Sequence, residues 1–398
     1  MKKPLIHIRG VEWIVVLLPM LLSLGWNLLH PPFVNMGPDA RLYLSVADNV
    51  LSTGHFIQTA RKTVGLVVPF GLPLILTLLR SLRLSVAAIV ALQHLLLGFD
   101  CLFLYRAEKK RFGRGGVAPA VFCLALVRTH LSLKNIYLEF YYLFFLCWIL
   151  ELLSQDGFAL EKRLLRLNLA GFGAFAVRPV LLVVWMPILG YTAWCLVKGR
   201  LRPSRVILPA LLIILVLFGN AAVNHRETGH WILTENYSGE DLYTANNPNG
   251  KSEYYVKRDQ TFWVDGVFYR LREDPSLDYT EQNAALRNAA TTWVRENPGR
   301  FLRNTGIKFI SIFLRYWFFA PLLGALLCLL RLRGEGPSRC RREVWELGVN
   351  LSLAVLTACG LIMGRYTLPI WPLTALHLAG GFWLLYDSME KIGKRKKV

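Results

Sequence analysis

Apolar runs of membrane-spanning length alternate along the chain with short charged segments, at about 11–30, 85–105, 116–133, 138–153, 206–223, 306–330, 346–363 and 368–386. Roughly twenty consecutive apolar residues match the hydrocarbon thickness of a bilayer, so each run predicts a transmembrane helix. The stretch from Leu164 to Val197 is too long for one span and holds Arg178-Pro179 in its middle, which predicts two short spans meeting near that pair. The expected fold is an all-α polytopic membrane protein of about ten transmembrane helices.

Two polar-interrupted regions break the alternation. From Asp39 the spacing is helical, with Leu42, Val46 and Val50 on one stripe, Tyr43, Ala47 and Leu51 beside it, and Arg41, Asp48 and Asn49 pointing elsewhere. Thr53-Gly54 closes this helix, and Pro38 and Asp39 suit its first turn, with Asp39 as a cap. It is short and amphipathic, so it is expected to lie in the membrane interface. The apolar piece from Leu66 to Leu82 is interrupted by Pro69, Gly71 and Pro73 and followed by Arg80 and Arg83. As a span it would invert the polarity of every later loop, so an interfacial or re-entrant helix is expected.

Charge supplies the orientation. Only 18% of the 398 residues are charged, yet the formal net charge is +20. Basic clusters at Lys2, Lys3 and Arg9, at Lys109 to Arg114, at Lys198 to Arg205, at Arg331 to Arg342 and at Lys391 to Lys397 all fall on one face of a ten-span topology. By the positive-inside tendency that face is cytoplasmic, with both termini inside. The surplus is thus topological, and no nucleic-acid partner is needed to explain it.

The chain divides at this level into an N-terminal transmembrane module, 1–223, with a first outer loop at 31–84, a soluble outer domain at 224–304, and C-terminal transmembrane helices, 305–398. The outer segment holds twelve acidic and ten basic residues, against a large basic excess elsewhere. It is rich in turn formers such as Asn246-Asn247-Pro248-Asn249-Gly250, and its spacing from about Thr280 to Arg295 predicts a helix ended by Asn297-Pro298-Gly299. A small α or mixed domain packed on the membrane portion is expected.

Six of the seven cysteines lie in or beside apolar runs, and Cys340 falls in a basic loop. A disulfide framework or thiolate metal site is therefore not expected. Pro31-Pro32-Phe33 is a poor cleavage site, so the first apolar run is expected to remain as a helix. No Walker loop, Rossmann glycine pattern, HExxH or GxSxG occurs, which removes sequence support for an ATPase, a dinucleotide enzyme, a zincin or a serine hydrolase.

The run from Gly37 to Leu51 (GPDARLYLSVADNVL) with Thr53-Gly54-His55-Phe56, then Val68-Pro69-Phe70-Gly71-Leu72-Pro73-Leu74, resembles the first outer loop of the GT-C membrane glycosyltransferases. The likeness is to the branch holding protein O-mannosyltransferases and the lipid A aminoarabinose transferase. Further echoes are Asn135-Ile136-Tyr137-Leu138-Glu139, Phe175-Ala176-Val177-Arg178-Pro179, Arg295-Glu296-Asn297-Pro298-Gly299-Arg300 and Arg365-Tyr366-Thr367-Leu368-Pro369.

This resemblance implies an inverting glycosyltransferase of the cell envelope. It would move a sugar from a polyprenyl-phosphate donor to a glycan, lipid or protein acceptor at the outer face of a bacterial inner membrane. Asp39 would take the place of the family's first-loop aspartate, as general base or acceptor-orienting group, and Glu139 that of an acid near the second outer loop. The chain departs from the pattern in having Val68-Pro69-Phe70 where relatives carry a paired proline or a lysine before proline, and in lacking a second acid adjacent to Asp39. The second departure leaves a divalent metal, magnesium or manganese, an open requirement. The implied protein is a monomer contacting membrane lipids.

The residues are compatible with that chemistry. An acceptor hydroxyl needs a carboxylate within reach, and a leaving lipid phosphate needs a cation. Arg178, between short spans, is the leading phosphate candidate, with Arg61, Lys62, Lys134 and Arg365 on the same face. Tyr43 and Glu139 are candidates for acceptor or sugar contact, and Asp39 with Glu139 could hold a divalent ion if they converge. The plainer readings are a helix-capping Asp39, an interface-anchoring Tyr43, a solvated Glu139, a structurally paired Arg178, and solvated His55 and His130. The alternative function is a lipid or glycan transporter, which calls for an internal repeat or paired broken helices, and no convincing repeat is found.

Overall fold

The structure is a computed structural model that describes residues 10–55, 69–128, 134–155, 159–233, 238–249, 266–272, 274–315, 326, 337–359 and 368–395. Its first half is α1 (Val11–Leu29), α2 (Pro38–Thr53), α3 (Gly71–Ser81), α4 (Val86–Phe112), α5 (Val117–Arg128), α6 (Leu138–Ser154), α7 (Leu160–Val177) and α8 (Leu182–Val197), with a single 3-10 turn at Pro179–Leu181. There follow α9 (Pro203–Thr228), α10 (Ser238–Ala245), α11 (Gly266–Arg272), α12 (Tyr279–Glu296), α13 (Pro298–Arg315), α14 (Pro337–Cys359) and α15 (Trp371–Arg395).

Helix α4 is the central post, packed by α1, α5, α6 and α15. The Ser85 hydroxyl caps its start by accepting from the Ala88 amide at 3.2 Å. At the other end Gly113 adopts the left-handed conformation (φ 75°), and Lys109, Lys110 and Arg111 complement the exposed carbonyls of the last turn. Gly98 lets α1 approach, since a Cβ there would stand 2.6 Å from the Val16 carbonyl oxygen. Small residues allow this close main-chain packing where lipid removes the ordinary hydrophobic drive.

Among the described residues four helical segments are long and apolar enough to cross a membrane: Val11–Leu29, Val86–Phe112, Pro179–Val197 and Leu368–Glu390. This is a multi-pass membrane architecture, and it corrects the expectation of a GT-C-like bundle with about ten spans. The physical reason is length and polarity. The described part of the run at 116–133 is α5, whose 12 residues reach only about 18 Å against a hydrocarbon core of about 30 Å, and 129–133 lie outside the described residues. The run at 138–153 yields α6, 17 residues with Glu139 and Glu151 buried near its two ends. Helix α7 places Lys162, Arg163 and Arg166 in its first half and buries Asn168, which donates to Thr192 Oγ1 at 2.9 Å and accepts from Trp185 Nε1 at 3.2 Å. The run at 306–330 overlaps α13 only as far as Arg315, and 316–325 lie outside the described residues.

Buried polar braces hold one end of the bundle. Arg106 of α4 grips Glu12 of α1 through two hydrogen bonds, 3.1 and 2.8 Å, and pairs with Glu151 of α6 at 3.5 Å. One turn on, Arg111 makes a bidentate pair with Glu346 of α14 at 2.7 and 2.6 Å and donates to Ser154 Oγ at 2.8 Å. Glu108 accepts from the amides of Gly116, Val117 and Ala118, satisfying the open N-terminus of α5, and from Trp383 Nε1 of α15. Arg114 pairs with Asp387 at 3.2 Å and stacks over Tyr386. The basic α4–α5 turn, the start of α1 and the end of α15 therefore share one end.

Helices α10, α11 and α12 form a small second core of Tyr243, Phe268, Leu286 and Ala290. A reciprocal capping box starts α12: Glu281 N–H donates to Asp278 Oδ1 at 2.8 Å and Asp278 N–H to Glu281 Oε2 at 2.9 Å. Asn283 Oδ1 accepts from the Gly239 and Glu240 amides, joining α10 to α12. Lys308 of α13 donates to the Ala245 carbonyl, and Asn246 to the Cys359 carbonyl, which tie this unit to the C-terminal helices.

Candidate ligand groove

The residues singled out in the sequence separate in the structure. Asp39 lies half-buried in the first turn of α2, but Gly37 is the N-cap and no side chain caps that helix. Tyr43 turns inward and is buried in the main core with Ala40, Leu44, Val46 and Ala47. Glu139 is buried at the start of α6, where its Oε1 lies 4.0 Å from Arg178 Nη1. The Arg178 guanidinium also stands over the Tyr142 ring, 5.6 Å from its centre, at the joint between α7 and the 3-10 turn. Gly71 abuts this joint, with any Cβ falling 2.5 Å from the Ala176 carbonyl. The loop before Glu139 is pinned to the start of α2, since Gly37 N–H donates to Asn135 Oδ1 and Asn35 N–H to the Lys134 carbonyl. Arg61, Lys62 and Arg365 lie outside the described residues.

Glu139 and Arg178 are thus brought together, a buried carboxylate and a partly buried guanidinium 4.0 Å apart facing an aromatic ring. Among the described residues no group of three or more His, Cys, Asp or Glu side chains is placed to hold a metal ion, and the ion contemplated at Asp39 and Glu139 gains no such cluster. The expected enzyme, a glycosyltransferase drawing on a polyprenyl-phosphate sugar, drew its support from a many-span scaffold. Four membrane-length helices and no metal cluster among the described residues overturn that expectation.

A large concavity lies elsewhere, between α1, α4 and α5. It encloses about 860 Å³ and is bordered by Ile14, Leu18, Leu22 and Trp26 of α1, by Leu97 and Cys101 of α4, and by Pro119, Ala120, Cys123 and Val127 of α5. Ile14, Leu18, Leu22, Trp26 and Val127 are all more than half exposed, so the groove opens on the side where the helices present apolar surface. From Ile14 to Trp26 it follows α1 for about 18 Å.

One end of the groove is polar. Ser23, Asn27 and Lys134 line it. Asn27 Nδ2 donates to the Phe33 carbonyl at 3.3 Å and to His94 Nε2 at 3.2 Å, while Ser23 Oγ donates to the Met20 carbonyl at 3.0 Å. His94 then carries its proton on Nδ1 and donates it to Ser23 Oγ at 2.9 Å. Lys134 Nζ donates to the His30 carbonyl at the rim. The result is a fixed polar floor beside a cation, at the mouth of an otherwise apolar channel.

Lys134 was legible as a possible anion ligand, but the groove was not. Its three walls are 11–29, 86–112 and 117–128, and no spacing rule within a single helix reports how they meet. No family model, characterised protein or solved structure matches this chain.

Proposed function

We propose that this multi-pass membrane protein binds a single-chain amphiphile from the bilayer, with the tail in the α1–α4–α5 groove and an anionic head at Lys134. What supports this reading is one conjunction: an apolar channel open along its length to the lipid-facing side, ending in a lysine and a hydrogen-bonded polar floor. A ligand with an acyl or isoprenoid tail covers the channel's apolar wall and sets its anionic head beside the Lys134 ammonium. Membrane lipid is therefore the proposed partner class.

The orientation belongs to the same proposal. Lys109, Lys110, Arg111 and Arg114 gather at the end that also holds Glu12 and Asp387. The positive-inside tendency sets that end in the cytoplasm, with both termini, and sets Lys134 and the α10–α12 unit on the opposite face.

The test uses the full chain in lipid nanodiscs and a spin-labelled fatty acid as probe. Ala120→Trp fills the groove from an exposed position and is expected to weaken binding at least tenfold, about 1.4 kcal/mol. Lys134→Gln is expected to weaken binding of the fatty acid while leaving its uncharged methyl ester unaffected. Equal binding by wild type and Ala120→Trp would overturn the reading.

A further inference from the structure

Halfway along the groove two thiols face each other across helices. Cys101 Sγ of α4 and Cys123 Sγ of α5 are 3.5 Å apart, and both line the channel. Cys101 is buried, whereas Cys123 is partly open. Behind them Asp100 is fully buried, and neither carboxylate oxygen has a hydrogen-bond partner among the described residues. Cys101, Cys123 and Cys147 all lie within electrostatic reach of this carboxylate. An ionisable group in this position inside a membrane-length helix calls for a role.

Position along the groove selects the chemistry. Cys101 is seven residues beyond His94 in α4, which places the thiol pair about 10 Å from the polar floor. An amphiphile with its head at Lys134 therefore lays the middle of its chain against the two sulfurs. Aqueous oxidants that carry charge are kept from that depth by the apolar walls. An oxidised lipid, with its peroxide in mid-chain, is delivered there by its own tail.

We infer that Cys101 and Cys123 form a dithiol that reduces a lipid hydroperoxide held in this groove, and this rests on the groove occupancy proposed above. Cys123, the more open thiol, attacks the terminal peroxide oxygen. The sulfur–oxygen bond forms, the peroxide bond breaks, and the thiol proton passes by way of Asp100 to the departing lipid alkoxide. The products are a lipid alcohol and a Cys123 sulfenic acid. Cys101 then attacks that sulfur, forming the disulfide and expelling the sulfenic oxygen as water with the second thiol proton. Two thiols and one hydroperoxide thus give one disulfide, one alcohol and one water. Closing the pair to a bond of about 2.0 Å requires side-chain rotation across the 3.5 Å gap.

The experiment exposes the full chain in nanodiscs to a fatty-acid hydroperoxide and follows the hydroxy acid formed, the Cys101–Cys123 cross-linked peptide, and labelling by a sulfenic-acid probe. Wild type is expected to yield the alcohol and the cross-link in equal amounts. Cys123→Ser yields neither, and Cys101→Ser yields the alcohol and a labelled Cys123 without the cross-link. Asp100→Asn slows alcohol formation at least tenfold, and Asp100→Glu restores it, which a merely structural carboxylate would not do. Binding of the unoxidised parent acid is measured on the same samples. If the parent acid binds and both thiols stay reduced, this inference is overturned while the groove reading stands; if the parent acid does not bind, both fall.

Discussion

At Gly98 two effects of one methyl group oppose each other. Alanine would gain about 1 kcal/mol of helix propensity over glycine. The same Cβ would lie 2.6 Å from the Val16 carbonyl oxygen, a main-chain atom that moves only if α1 moves. Overpacking of this kind costs about 1–3 kcal/mol, so Gly98→Ala is expected to be neutral to destabilising and Gly98→Leu clearly destabilising. A thermal unfolding series in detergent would show the order, and equal midpoints for glycine and leucine would refute the close approach. The Arg111–Glu346 pair gives a second test at this scale, because both side chains are almost fully buried, 2% and 0% exposed. Arg111→Met leaves a carboxylate buried without its bidentate partner and is expected to cost about 3–5 kcal/mol. The double variant Arg111→Met, Glu346→Leu removes both charges and is expected to recover most of that loss. A double variant no better than the single one would show that the pair itself stabilises the bundle.

Helices differ in how much of their making is local. The segments Val11–Leu29 and Val86–Phe112 were legible because a long apolar run and a basic flank coincide in one stretch of sequence. Helix α12 was legible as well, running Tyr279–Glu296 where the spacing predicts about 280–295, since Asp278 and Glu281 form a capping box within four residues. Helix α5 falls short of membrane length while keeping Leu124 and Val127 exposed, and α6 was misread as a lipid-facing span because apolar content does not distinguish burial in protein from burial in lipid. Phe140, Tyr142, Leu143 and Cys147 of α6 are at or near zero exposure and are covered by other helices. The cap on α12 makes a pH prediction. Burial on its own would raise the Asp278 carboxyl, but the Glu281 amide and His230, 2.9 Å away, outweigh it and hold it below the usual 3.8. A depressed carboxylate contributes stability above its unfolded value, and that contribution is lost as pH falls through the folded value. Acidification from pH 5 to below about 3.8 is therefore expected to loosen α12 in the wild type, with slower loss in Asp278→Asn. Hydrogen exchange of the first α12 amides is the measurement, and pH-independent protection there in the wild type would refute it.

For the molecule as a whole, the groove depends on arrangement more than on any single segment. Ser23, His94 and Cys123 come from three helices, and their sequence separations follow no motif, so the polar floor and the thiol pair could be seen only once α1, α4 and α5 were packed. What the sequence carried was the vectorial part, the basic residues from Lys109 to Arg114 at one end and Lys134 beyond the next helix. These two features bear on opposite ends of the same channel, and their sidedness decides which leaflet feeds it. A protease-sensitive tag inserted at Ser276, in the turn before α12, is expected to be cleaved from outside intact cells, whereas one inserted after Gly113 is expected to be protected until the membrane is opened. The reverse pattern would place Lys134 on the cytoplasmic face. The amphiphile would then enter head-first from the inner leaflet, and anionic lipid confined to that leaflet would be the better competitor for the probe.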